Sequence, residues 1–119
     1  MGKIFRTKET EALYTKEKNN GGLKECPLCN EPSIKEWNHW KIIKNKFPYD
    51  LIAKDHDMLV SKRHVGEEEL TQEEFEEMLL IKKEYIHSNY GYMFEPMMRN
   101  KSIPAHFHTH LINEKEVLI

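Results

Sequence analysis

The chain has 119 residues, enough for one domain with a single core and too few for a second. At 39% hydrophobic and 32% charged it lies away from the disordered class, and a formal net charge of -2 excludes the broad basic footprint of a nucleic-acid polymer binder. No apolar run approaches the roughly 20 residues of a membrane span, and Met1-Gly-Lys-Ile-Phe-Arg6 lacks the apolar centre of a signal peptide, so a cytoplasmic address with no membrane partner is expected.

Residues 1–25 read as an N-terminal arm ahead of a single domain at 26–119. Alternating charges around Ala12, Leu13 and Tyr14 predict a short helix over 7–18, and Asn19-Asn20-Gly21-Gly22 predicts a break, since these residues tolerate left-handed backbone. Cys26-Pro-Leu-Cys29 follows. In a reducing compartment a Cys-x-x-Cys pair is half a metal site or a redox pair.

Trp37, His39, Trp40, Ile42 and Ile43 predict a strand within 36–45, ended by the proline-imposed turn at Phe47-Pro48-Tyr49. Residues 50–54 and 57–61 are apolar runs of strand length, with Asp55-His56 as the connection into a second strand. Glu67-Glu68-Glu69 is a solvated approach to the next element. There Thr71-Gln-Glu-Glu74 is a capping box, in which the hydroxyl accepts from the backbone of Glu74 and the carboxylate reaches back. Phe75, Met78, Leu79, Lys82, Tyr85 and Ile86 recur at helical spacing, with acidic residues early and lysines late, predicting a helix over 71–88 with His87 on its surface. Strands are expected at 90–95 and 104–112, joined by a return through Pro96 to Ser102. The fold class is α+β, a mostly antiparallel sheet with the long helix covering its apolar face.

His106, His108 and His110 alternate in the last strand, so they share one face while Phe107, Thr109 and Leu111 take the other. At about 3.3 Å per residue the outer two lie roughly 13 Å apart along a regular strand, so one ion cannot take all three. An adjacent pair could share a metal, which leaves a division of labour in which one end of the row binds metal and the remainder handles substrate. The two thiols suit tetrahedral zinc, which needs two further ligands, and histidines are the obvious donors.

His106-Phe-His-Thr-His-Leu-Ile112 resembles the signature of the histidine-triad (HIT) family. Asn45-Lys-Phe-Pro-Tyr49 and His56-Asp-Met-Leu-Val-Ser-Lys-Arg-His-Val65 resemble that family's upstream strands, so the likeness runs from about residue 26 to 112. It implies a HIT-like α+β fold, a homodimer, and hydrolysis or nucleotidyl transfer at the α-phosphate of a nucleoside phosphate ester, anhydride or phosphoramidate. By resemblance His108 attacks phosphorus and carries the nucleotidyl group, His110 donates to phosphate oxygens, and His56 sets the hydrogen bonding of the row. The zinc-bearing branch, similar to galactose-1-phosphate uridylyltransferases, implies a structural zinc on Cys26, Cys29, His64 and His106. Where many members carry Gly-Gln-Ser this chain has Arg99-Asn-Lys-Ser-Ile-Pro-Ala. Its Ser-Ile-Pro is similar to diadenosine polyphosphate hydrolases and phosphorylases, which makes Asn100, Lys101 and Ser102 candidate phosphate donors. Phe47 and Tyr49 pack in the core or, as candidates for a base pocket, line the site, and the substrate is a nucleotide or dinucleotide polyphosphate.

Two further readings stand beside this one. In one, His108, His110 and Glu114 ligate a catalytic metal in a cupin-like barrel. In the other, the chain is a non-catalytic zinc-knuckle module that binds a nucleotide or a protein partner.

Overall fold

The computed structural model describes residues 5–19 and 26–116. Five strands form one sheet, in the order β1-β2-β3-β5-β4 with every neighbour antiparallel: β1 Ser33–Glu36, β2 Trp40–Lys44, β3 Ala53–Ser61, β4 Tyr92–Phe94 and β5 His108–Glu114. The helices are α1 (Lys8–Asn19), a single turn α2 (Pro27–Asn30), and α3, which begins as Gln72–Ile81, passes through a π-helical stretch Lys82–Ile86 and ends as His87–Asn89. The expected α+β class and antiparallel sheet are present.

Alternation divides the sheet into two working faces. Trp40 and Ile42 of β2, Leu59 of β3 and Leu111 of β5 point to one side, where Phe107, Val65, Leu70, Ile81 and Ile86 close the main core. The helix start is fixed as its sequence requires: Thr71 Oγ1 accepts from the Glu74 N–H at 3.1 Å, and the Thr71 N–H donates to the Glu74 carboxylate at 2.8 Å. Glu74 also receives Arg63 through two nitrogens, Nη2 at 2.6 Å and Nε at 3.1 Å, which holds its carboxyl at about 2 and ties the 62–65 loop to α3. Phe75 and Leu79 do not join the core. They are 37% and 61% exposed, and Ile81, with Met78 and Tyr85 beside it, faces the sheet instead. The opposite face carries Ile43, Met58 and Val60 under Leu28, with His56, His108 and His110 along it.

Three element boundaries differ from the sequence reading. The stretch 36–45 is the second half of a hairpin: the Trp37 N–H donates to Trp40 O at 2.8 Å across a turn, and β1 precedes it. All four residues of β1 are exposed, so this edge strand has no apolar face to announce it. Asp55-His56 is no connection, because the nine-residue β3 runs through it, with Asp55 paired to Asn113 and His56 to Ile112, and residues 50–52 form the turn. The last strand starts at His108, four residues later than expected. Residues 104–107 turn instead, and the Phe107 N–H donates to Val65 O at 2.7 Å.

Residues 8–19 are helical as expected, and the arm packs on the domain. Asp50 caps α1, accepting from the Thr7 N–H at 2.8 Å and the Thr7 hydroxyl at 3.0 Å, while Leu51 N–H donates to Phe5 O at 2.9 Å. The break at residues 20–22 lies outside the described residues. Among those described, no helix is long and apolar enough to cross a membrane.

Candidate functional site

His106 leaves the strand row because residues 104–107 turn, and this brings its ring to the cysteines. Gly66 lets the 62–66 loop close on that turn, where a Cβ would sit 3.1 Å from Pro104 O. His64 consequently lies beside His106, ring centroids 5.0 Å apart. The Nδ1 of His106 is 3.3 Å from Cys26 Sγ and 3.5 Å from Cys29 Sγ, and His64 Nδ1 is 3.2 Å from Cys29 Sγ. All four ligand atoms lie within 4.8 Å of one another.

Zinc bonds of about 2.3 Å to sulfur and 2.0–2.1 Å to nitrogen give tetrahedral S···N edges of about 3.5 Å, so the donor set fits. The His106 Nε2–H donates to Ser61 O at 2.6 Å, which leaves the Nδ1 lone pair toward the cysteines. Cys26, Cys29, His64 and His106 thus form a Cys2His2 group suitable for a metal ion such as zinc. Among the described residues it is the one such group of three or more ligands. The barrel reading fails here, since the sheet is open with β1 and β4 as edges, and His108, His110 and Glu114 do not gather as ligands.

The other two histidines of the row enter a cleft of about 230 Å³ on the same face of the sheet. Its walls come from α1, the Cys26–Glu31 knuckle, the end of β2 and the 102–103 turn. Both imidazoles are buried, and their tautomers follow from their partners. Nδ1 of His108 is 2.9 Å from His106 O. A carbonyl oxygen only accepts, so Nδ1 carries the hydrogen and Nε2 keeps the lone pair.

His110 is set the opposite way. The register pairs Met58 with His110 and His56 with Ile112, making His56 and His110 diagonal neighbours whose Nε2 and Nδ1 meet at 2.7 Å. The Tyr49 backbone N–H donates to His56 Nδ1 at 3.0 Å, so the His56 hydrogen must be on Nε2 and is donated to His110 Nδ1. His110 therefore carries its hydrogen on Nε2. Asn45 Nδ2 approaches His56 Nε2 at 3.3 Å, but both atoms bear hydrogens in this scheme, and the amide has Met58 Sδ at 3.8 Å as an acceptor.

Burial is the first cause of the low basicity here. It lowers the pKa of His108, takes His56 to about 4 with help from Arg6 and His108, and pushes His110 lower still, aided by the His56 charge. The row is neutral at pH 7. His56 ionises near 6.5 unfolded and about 4 folded, so its contribution is fully present above pH 6.5 and is lost as pH falls toward 4. From this group alone, unfolding free energy at pH 5 is expected to be about 2 kcal/mol below its value at pH 7.5. Urea titrations at the two pH values measure the drop. His56→Asn, whose Oδ1 can take the Tyr49 N–H, should lose that share of it, and an unchanged drop would assign the acid sensitivity elsewhere.

The candidate substrate residues are only partly brought together. Ser102 lines the cleft. Lys101 does not: its Nζ pairs with Glu95 at 3.1 Å and lies over the Phe107 ring. Asn100 sits in the 98–100 turn away from the cleft lining. Phe47 and Tyr49 both line it, Phe47 edge-to-face on Tyr14, and Tyr49 93% buried and stacked on His110 at 5.0 Å. Arg6, Tyr14 and Asn45 also reach the cleft and were not anticipated. For the first two the sequence offers no signal, since Arg6 precedes any periodic pattern and Tyr14 sits in a weak one. No family model matches this chain, and no curated protein matches it.

Proposed function

We propose that this chain is a histidine-triad nucleotide hydrolase or nucleotidyl transferase, with a HIT-like fold, working in the cytoplasm as a homodimer through a nucleotidyl-His108 intermediate. The observation that carries the reading is the opposed tautomers of neighbouring histidines. His108 offers a lone pair at Nε2 and His110 a hydrogen at Nε2. Among the described residues neither atom has a hydrogen-bond partner, and neither is sealed from the cleft.

A neutral imidazole whose lone pair is fixed in direction is a competent nucleophile. In the first step Nε2 of His108 bonds to the α-phosphorus, and the bond from phosphorus to the leaving group breaks with its electron pair. Charge grows on the non-bridging oxygens, and the His110 N–H is placed to stabilise it. His56 acts through His110, holding the hydrogen on the nitrogen that faces substrate. In the second step water, giving up a proton to solvent, or a phosphate oxygen attacks, the phosphorus–nitrogen bond breaks, and its electron pair returns to Nε2. Cys26, Cys29, His64 and His106 would hold zinc as a closed four-ligand site, supplying folding energy rather than an open coordination position.

The test is a mass measurement on the intact protein after brief mixing with adenylyl and uridylyl substrates: dinucleotides, nucleoside diphosphate sugars and phosphoramidates. A nucleotidyl mass is expected on wild type, mapping to His108 and absent from His108→Asn. An adduct elsewhere, or turnover that survives His108→Asn, would reject the covalent step. Tight nucleotide binding with neither adduct nor turnover would leave a binding module.

A further inference from the structure

The phosphate donors expected in the loop before the triad are not where the cleft needs them, since Lys101 is engaged by Glu95 and only Ser102 reaches the lining. A largely buried cation that does line the cleft comes from the other end of the chain. Arg6 has a side chain only 8% exposed, and burying a guanidinium costs energy unless it is compensated. Its Nε donates to Phe47 O at 2.7 Å, and its carbon lies 4.4 Å from the Tyr14 ring centroid and 5.0 Å from that of Tyr49. Two aromatic rings and a carbonyl therefore hold the fork in place.

The charge itself is met incompletely. Nη1 reaches Glu11 at 3.3 Å, long for an arginine–carboxylate bond, and among the described residues Nη2 has no hydrogen-bond partner and is not buried. Arg6 also helps keep His56 and His110 unprotonated, as a fixed positive charge near them must. A guanidinium that is positioned, partly desolvated, and left with an open donor in the cleft that His108 and His110 also line is the arrangement that recognises a phosphate.

We propose that Arg6 binds the phosphate of the leaving group, so that this site prefers nucleotides carrying a second phosphoryl group, that is phosphoanhydrides, over phosphoramidates with amine leaving groups. This rests on the nucleotidyl-transfer reading above for which phosphate is attacked, but the binding preference is measurable without turnover. Lys44 and Lys46 at the rim add to the attraction, with Lys46 partly neutralised by Glu31 at 3.3 Å. Glu17 is the opposing charge at the mouth.

The experiment is calorimetric titration of the full chain with ADP and UDP against AMP and UMP. Wild type is expected to bind the better diphosphate at least about tenfold more tightly than its monophosphate, as one added charge-assisted fork would give. Arg6→Gln should bring that ratio close to one, and Arg6→Lys should keep part of it. Glu11→Gln, which frees Nη1 without removing the cation, should raise diphosphate affinity. No diphosphate preference in wild type, or an equal preference in Arg6→Gln, overturns the proposal, as does weaker diphosphate binding in Glu11→Gln if Arg6→Gln does not fold. An Arg6-dependent preference without any His108 adduct would retain this inference and reject the covalent mechanism. An adduct with no Arg6 dependence would do the reverse.

Discussion

His108→Asn is expected to lower turnover of the best nucleotide substrate by on the order of a thousandfold or more, with metal content unchanged and the melting temperature shifted only slightly. The choice of asparagine follows from the tautomer. Its side-chain amide nitrogen can reproduce the Nδ1 hydrogen bond to His106 O, 2.9 Å in the native protein, while nothing replaces the Nε2 lone pair. Alanine would confound the result by opening a cavity at a site 97% buried. On the proposed mechanism His110→Asn removes a donor to developing charge rather than the nucleophile, so a smaller loss is expected, about a hundredfold in kcat. If His110 proved the more damaging of the two, or if His108→Asn kept a tenth of wild-type activity, the division of roles between the histidines would be wrong.

The placement of the histidines was only half legible in the sequence. Period-two alternation correctly separated Phe107 and Leu111 from His108 and His110, because burial of one face of a sheet leaves a repeating trace in residue type. Alternation could not reveal that His106 sits outside the strand. Proline at 104 has no hydrogen to give a ladder, and the segment turns there, sending Phe107 N–H to Val65 O in place of a strand neighbour. The tautomers were equally out of reach. They depend on which atoms lie opposite each ring nitrogen, and the Tyr49 backbone N–H that sets the direction of the His56–His110 bond is a long-range contact with no residue-type signature.

Short-range chemistry was read more securely. The Thr71–Glu74 capping box depends on residues three apart and formed as its sequence requires. Cys26 and Cys29 drew attention by their own spacing, whereas the candidate ligand His64 did not. It is brought in by Gly66 against Pro104 and by the Arg63 clamp on Glu74, contacts that span tens of residues. Arg6 lies furthest from any pattern, in an arm whose docking rests on the Asp50 cap and the Phe5 contact with Leu51.

Loss of the metal is expected to cost more stability than any of these single contacts. The Cys26–Cys29 knuckle, the His64 loop and the turn at His106 come from three separate parts of the chain, and one ion bonded to all four residues would close loops of 35 and 77 residues at once, from Cys29 to His64 and from Cys29 to His106. Binding energy for a site that the unfolded chain does not possess is folding energy. Wild type is expected to purify with one zinc per chain, and a strong chelator or Cys29→Ser should lower the melting temperature by on the order of 10 °C or more. Turnover should suffer less than in His108→Asn when measured well below the new melting temperature. The knuckle forms one wall of the cleft through Pro27 and Leu28, so its loosening is expected chiefly as a raised KM. His108 keeps its own hydrogen bond to the backbone of His106, although the side chain of that residue loses its metal. A protein that surrenders its zinc with no change in melting temperature would show the Cys2His2 group to be incidental to folding, and one that loses kcat in proportion to zinc would give the metal a part in the chemistry.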